Sequence, residues 1–390
     1  MSELHPRAAG LVERAHGQTG LELPPDPAWL EALDVLVRAI EEEATLHTLG
    51  ERIVYGRIER LLVSRLRVED WYRRHPELGD ETVRAPIFVI GLPRTGTTAL
   101  SQILAQDPRI RSLRVWESGA PVPPPDSATE LEDPRIAACQ KELDALYAAF
   151  PDFRAMHYEE ATGATECQDL LGMAFRTAHF DGMAHIPSYT DWVLGCDMVP
   201  AYRMHHRVLG LLQSHCPPRL WQLKTPLHLL FLDVLNTVYP DARFVVTHRD
   251  PALVIPSVCS LVATLWGMVS ESVPRRELGR RQVALWSEAL RRGLAFRGRA
   301  EASRFVDVQL TDLLREPLRT LERVYAILGL ELDAPVRDRL LAWIRAHPRG
   351  EHGEHRYDPE DFALDRDEIR ERFSFYSERF APGAEAPSSR

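Results

Sequence analysis

Residues 86–98, PIFVIGLPRTGTT, pass from an apolar run into a turn bounded by Gly91 and Gly96 and then into a helix-forming stretch. The Gly91-x4-Gly96 spacing is that of a phosphate-cradling loop, whose successive backbone N–H groups and following helix N-terminus face an anion. In the nucleoside-triphosphate form of this loop, lysine and then serine or threonine follow the second glycine. Here Thr97 and Thr98 follow Gly96, and the cation is Arg94, inside the loop. Thr95, Thr97 and Thr98 add hydroxyls suited to tetrahedral oxyanions. The pattern predicts a site for a phosphate- or sulfate-bearing group that does without the ATP-and-Mg²⁺ lysine.

Two further clusters belong with this loop. In RFVVTHRDP (243–251) a buried-type strand delivers Arg249 at its end, and Ser257 follows eight residues later, so that an arginine and a hydroxyl can grip one phosphate. In WQLKTP (221–226) another strand end carries Lys224. The chain has 47 basic residues, and only Lys141 and Lys224 among them are lysines. Where arginine is the habitual cation, a lysine at a strand end points to a need for a compact, mobile point charge.

With these residues in order, the chain resembles sulfotransferases that use 3′-phosphoadenosine-5′-phosphosulfate (PAPS), over roughly residues 86–376. The resemblance implies that the loop, through Gly91, Arg94, Thr95, Gly96, Thr97 and Thr98, holds the 5′-phosphosulfate. It implies that Arg249 and Ser257 hold the 3′-phosphate, that Lys224 follows the bridging oxygen, and that Arg94 also steadies charge in the reaction. Many members carry histidine two residues after this lysine, whereas this chain reads Lys224-Thr225-Pro226. Other branches use a glutamate reached after the first helix. Glu117, in RVWESG, occupies that region, and His228 competes with it for the role of base. In RGEHGEHRYDPEDF (349–362), a polar segment like the loop that closes over the nucleotide in this family, His355 and Arg356 are further 3′-phosphate candidates. The family's Arg-Lys-Gly run is not matched there.

The expected reaction moves a sulfuryl group from PAPS to a hydroxyl or amine, releasing 3′-phosphoadenosine-5′-phosphate (PAP). Cationic side chains supply the charge, so no metal is required. Apolar and aromatic residues between 150 and 215 suit a small or lipid-like acceptor. Two other functions share these motifs: an NTP-dependent small-molecule kinase, and a non-catalytic PAP-binding protein.

Composition narrows the partners. A net charge of −10 opposes nucleic-acid binding, which needs a basic face. Any anion must be held by a local cluster, which screening over about 8 Å permits. Five cysteines with no CxxC pair give neither a disulfide framework nor a zinc knuckle. With an N-terminus that lacks an apolar core, this reads as a cytoplasmic protein. The uncharged stretch 251–270 is long enough to raise a membrane span, but its two prolines and four hydroxyl residues favour a buried helix. The arginine-rich segment 275–299 reads as a solvated helix face.

The elements that must position these residues follow from periodicity. Residues 219–249 read strand, helix, strand, a βαβ unit with parallel strands, and 304–310 is a further strand. The fold class is α/β: a three-layer parallel sheet of the P-loop nucleotide-kinase-like type, with a helical N-terminal lead-in (1–84) packed on the core. The sulfotransferase-like domain spans 85–390, with a helical acceptor-side insertion at about 130–216 and a nucleotide-closing loop at about 349–362. In such sheets, ligands lie at the carboxyl ends of the strands.

Overall fold

The computed structural model describes residues 4–24, 26–217, 220–348 and 357–380. His355 and Arg356 lie outside the described residues. Two compact units are present: one comprises Met1–Val83, Leu113–Pro218 and Thr264–Val273, the other Arg84–Ser112, Arg219–Ala263 and Pro274–Arg390.

The second unit is built on a five-stranded, all-parallel sheet: β1 (Ile87–Gly91), β2 (Ile110–Ser112), β3 (Leu220–Lys224), β4 (Arg243–His248) and β5 (Phe305–Gln309). Their spatial order is β2-β3-β1-β4-β5. β1 is central, and the chain leaves it first toward β2 and β3 on one side, later reaching β4 on the other. That reversal places a crevice at the carboxyl end of β1.

Side-chain alternation sorts the sheet into two different faces. Ile87, Val89, Val245 and Val308 face Leu100, Ile103 and Leu104 of helix Thr97–Leu104, together with Leu321, Val324, Tyr325 and Leu328 of helix Pro317–Leu328, all buried. The opposite face carries an aromatic row. Phe88, Phe244 and Phe305 occupy paired positions on β1, β4 and β5, with the Phe244 and Phe305 rings stacked at 5.0 Å. Phe296, from helix Arg275–Arg297, meets Phe244 edge-on at 5.7 Å. Aromatic pairs in these geometries add about 0.5–1.5 kcal/mol each to the burial itself. The row therefore locks β4 beside β1 and β5, and β4 is the strand that ends at Arg249.

The first unit is helical. Helix Ala28–Glu43 turns Leu33, Leu36, Val37 and Ile40 inward, and helix Thr48–Arg74 buries Ile58, Leu62 and Leu66. Arg65 is buried with them, its Nη1 donating to the Met173 carbonyl at 3.1 Å. Arg57 pairs with Asp169.

The sequence reading places a helix-forming stretch after the loop, and that helix spans Thr97–Leu104. It makes no mention of the edge strand β2, whose three residues are too few to show an alternating pattern. The predicted helix after β3 opens as a 3₁₀ segment, Pro226–Phe231, before Leu232–Val238 becomes α-helical. The uncharged stretch forms helix Pro251–Gly267, with Val254, Ile255, Val258 and Cys259 buried. Among the described residues, no helix is long and apolar enough to cross a membrane. All five cysteines are free thiols.

Entry into β2 depends on Asp107, which is fully buried. Its carboxylate accepts from Arg109 Nη2 at 2.7 Å, from the Arg109 backbone N–H at 2.9 Å and from the Tyr325 hydroxyl at 2.8 Å. Asp107→Ala leaves the Tyr325 hydroxyl without this acceptor and Arg109 with only the Glu331 carbonyl and the more distant Asp333, and should cost about 3 kcal/mol of unfolding free energy in urea denaturation. A loss below about 1 kcal/mol would show that water replaces the carboxylate.

Candidate functional site

Parallel strands end at one edge of the sheet, and the predicted residues of the α/β unit gather there. Gly91 closes β1 with φ near 150°. A Cβ at this position would stand 2.4 Å from Thr247 Oγ1 and 2.5 Å from the Thr247 carbonyl, so only glycine lets the loop leave so close to β4. Gly96, with φ near 91°, turns the chain into the helix, where a Cβ would meet Leu310 at 2.7 Å. Between them Arg94 adopts φ near 63°, a left-handed conformation that costs a non-glycine residue roughly 1–2 kcal/mol. Such a conformation persists only where the surrounding structure holds it in place.

Thr95 differs from the other threonines. It is fully buried, and its hydroxyl donates to the Leu92 carbonyl at 2.6 Å and lies 2.6 Å from Thr247 Oγ1. That hydroxyl pins the loop to β4, and its proton goes to a backbone carbonyl instead of to a ligand. Thr97 and Thr98 open helix Thr97–Leu104.

Lys224 is the last residue of β3 and is 1% exposed. The period of two along β3 puts Gln222 and Lys224 on the face covered by helix Thr97–Leu104, where residues three apart share a side. Lys224 Nζ donates to Thr98 Oγ1 at 3.0 Å, and Gln222 Nε2 donates to Ser101 Oγ at 2.9 Å. Two polar pairs thus fasten the helix to the strand, and the outer one carries the charge.

On the other side of β1, Arg249 follows β4 directly and donates from Nη1 to the Arg94 carbonyl at 3.1 Å. Arg94 Nε in turn donates to Ser257 Oγ at 3.3 Å. The sequence reading treats the loop arginine and the Arg249/Ser257 pair as separate clusters, whereas here they form one hydrogen-bonded group. Asp250 caps the helix bearing Ser257: its Oδ1 accepts from the Ala252 N–H at 2.9 Å.

The two candidate bases sit differently. His228, in the 3₁₀ segment after β3, is fully buried, with Phe88 edge-on to it at 5.0 Å. Glu117 belongs to the helical unit, in helix Val115–Gly119, also fully buried, and its Oε2 accepts from the Arg114 backbone N–H at 3.2 Å.

A network behind Arg249 escaped the sequence reading. His248 is 1% exposed; its Nε2 meets Asp307 Oδ1 at 2.9 Å and its Nδ1 meets the Tyr376 hydroxyl at 2.8 Å. A carboxylate only accepts, so Nε2 carries a proton toward Asp307. Arg297 closes a two-pronged pair on the same carboxylate, at 2.6 and 2.7 Å. The one visible signal was a histidine at an inward position of a strand, beside the candidate arginine Arg249.

The chain has been compared with known proteins. The profile of the sulfotransferase family matches residues 86–334. The sulfotransferase STF9 of Mycobacterium avium superposes with a TM-score of 0.90 at 29% identity, over 97% of this chain and 98% of that one. The sulfotransferase STF1 of Mycobacterium tuberculosis gives 0.84 at 31% identity, over 94% and 98%. The omega-hydroxy-beta-dihydromenaquinone-9 sulfotransferase Stf3 of Mycobacterium bovis is 27% identical over 258 residues, a match that spans 64% of this chain and 64% of that relative's length. With a P-loop-like α/β fold and a family profile over most of its length, this chain belongs to the sulfotransferase family.

Burial pushes the Asp307 carboxyl up, but hydrogen bonds from Arg297 and His248 outweigh it and hold the group well below the usual carboxylate range. A lowered folded-state value contributes stability that is present above the unfolded value, near 4, and is lost as pH falls through the folded one. The unfolding free-energy gap between wild type and Asp307→Asn should therefore be widest at neutral pH and shrink as pH drops below about 4. Denaturant melts across pH measure it, and a constant gap would contradict the ion-pair account.

Proposed function

We propose that this protein transfers a sulfuryl group from PAPS to a hydroxyl or amine of a small, lipid-like acceptor. The observation that carries this reading is the joined group at the strand ends. Arg94, Arg249 and Ser257 are linked by hydrogen bonds on one side of β1, and Lys224 reaches Thr98 on the other. Bridging cations on both sides of a glycine-closed turn suit a ligand with two separated anionic groups, and Mg²⁺ is not needed to balance its charge.

The proposed roles follow. The backbone N–H groups of residues 94–98, with Arg94 and the hydroxyls of Thr97 and Thr98, hold the 5′-phosphosulfate, and Gly91 and Gly96 let the backbone approach it. Arg249 and Ser257 take the 3′-phosphate, joined by His355 and Arg356. The acceptor oxygen attacks sulfur, the bond from sulfur to the bridging phosphate oxygen breaks, and the electron pair leaves with PAP. Lys224 neutralises charge growing on that bridging oxygen, and its compact ammonium suits a single moving oxygen. The acceptor proton goes to Glu117, with His228 as the second candidate.

The helical insertion at about 130–216 serves as the acceptor side in this reading, the 1–84 lead-in supports the core, and the setting is cytoplasmic. The Stf3 relatives are named for a hydroxylated menaquinone derivative, which supports an apolar acceptor with a hydroxyl. Their name does not extend to this chain's own acceptor, whose identity labelled-donor screening would establish.

Isothermal titration in EDTA should show PAP binding and no comparable binding of ATP. Lys224→Ala should lower turnover at least a hundredfold while changing PAP affinity less than about threefold, whereas Arg249→Ala should weaken PAP binding about tenfold or more. Equal losses in both quantities for both variants would dissolve the division of roles. To identify the base, Glu117→Gln and His228→Gln are assayed across pH with PAP binding as the control. Glu117→Gln is expected to lose turnover about a hundredfold and keep binding; the reverse ranking would assign the base to His228.

A further inference from the structure

Arg249 is held at both ends. Its guanidinium donates to the Arg94 carbonyl, as described, and its backbone hydrogen-bonds the Tyr376 hydroxyl, which itself contacts His248 Nδ1. Tyr376 is 2% exposed and lies on helix Ser374–Phe380, more than a hundred positions along the chain from the strand end it touches. The tautomer of His248 makes this contact directional. With Nε2 donating to Asp307, Nδ1 of the neutral ring can only accept, so the Tyr376 O–H donates to it. The hydroxyl oxygen's remaining lone pairs are then free to accept the Arg249 N–H.

The rest of the C-terminal segment grips the same place. Phe380 stacks on the His248 ring at 4.3 Å, and its carbonyl accepts from Gln309 Nε2 at 2.8 Å, at the end of β5. The Tyr357 hydroxyl donates to the Leu253 carbonyl at 3.1 Å, in the first turns of the helix that carries Ser257. Arg370 pairs at 3.6 Å with Asp250, the cap of that helix. Apart from Gln309 on the neighbouring β5, the anchors of residues 357–380 named here fall on the elements that present Arg249 and Ser257.

We propose that Tyr376, acting through His248 and the backbone of Arg249, is a positioning residue that sets recognition of the nucleotide's 3′-phosphate. The C-terminal helix is in effect the back wall of that subsite. The inference rests on the donor assignment made above and deepens it. A guanidinium that must meet a phosphate with two parallel N–H···O bonds tolerates little movement of its own Cα. The Tyr376 hydroxyl removes that freedom, while the loop, the helix N-terminus and Lys224, which face the 5′ end, have no contact with it among those described.

The test compares ligands that differ only in the 3′-phosphate. PAP and adenosine 5′-monophosphate are titrated into the full chain for wild type, Tyr376→Phe, Arg249→Ala and the double variant. Tyr376→Phe keeps the ring on Phe380 and His248 and removes one oxygen. It should weaken PAP binding about fivefold or more and change adenosine 5′-monophosphate binding less than twofold, a loss a general packing defect would not divide this way. In the Arg249→Ala background it should have no further effect on PAP. His248→Gln, which keeps a donor toward Asp307 and removes the ring nitrogen that faces Tyr376, should reproduce the selective loss should the tyrosine variant fail to fold. Wild type that shows no preference for PAP would remove the donor assignment and this role together. Wild type that prefers PAP, with variants that keep the whole preference or lose affinity for both ligands alike, would overturn the positioning role alone.

Discussion

The close passage of Gly91 against Thr247 is the contact on which the rest of the α/β unit's edge depends. Because β1 has β4 immediately beside it, the chain leaving β1 has no room for a Cβ, and the Thr95 hydroxyl then ties the departing turn back onto Thr247. With both ends of the turn fixed in this way, Arg94 is left with a backbone conformation that an unconstrained arginine would avoid. The same geometry points the Arg94 carbonyl at Arg249 and its side chain at Ser257. One steric fact at the end of a strand thus propagates into the arrangement of two cations and a hydroxyl.

Much of this architecture is legible in the sequence, for physical reasons that also explain what is not. β1, β3 and β4 carry largely buried, mainly apolar stretches, β5 mixes apolar with polar residues, and the loop declares itself through glycine spacing; these signals are local. β2 is too short to display a period. The 3₁₀ opening after β3 depends on how Pro226 and the following leucines pack, which no window of sequence shows. In the candidate site, Arg94, Lys224 and Arg249 were picked out because each stands at or just past a recognisable strand end, and Ser257 by its spacing from Arg249. Tyr376, Asp307 and Arg297 were not, because what makes them relevant is contact with His248 across wide separations in the chain. Thr95 shows the opposite limit: its residue type suggested a hydroxyl for a ligand, and only the fold reveals that the hydroxyl is used within the loop.

The electrostatics are local. A chain with a net charge of −10 has no long-range field to draw in an anion, so any attraction must come from groups within about a Debye length of the strand ends. The cations there differ in exposure, Arg94 being exposed and Arg249 half-buried. Lys224 is buried beneath the first turn of a helix, and Arg249 is braced by neighbours on both sides. Several other arginines among the described residues are engaged in surface pairs such as Arg73–Asp70 and Arg292–Glu288, worth little in stability but useful in keeping stray positive charge neutralised.

The placement of Lys224 on a strand has one more consequence. In a nucleotide loop of the ATP type the lysine belongs to the flexible turn and travels with it. Here the ammonium is borne by the sheet, because Lys224 pairs with Val89 across the β1–β3 ladder. A turn that breathes to admit or release a ligand leaves this charge where it is. The ammonium that meets Thr98 and the turn that leads into Thr98 thus belong to different elements, one to a strand and the other to a loop.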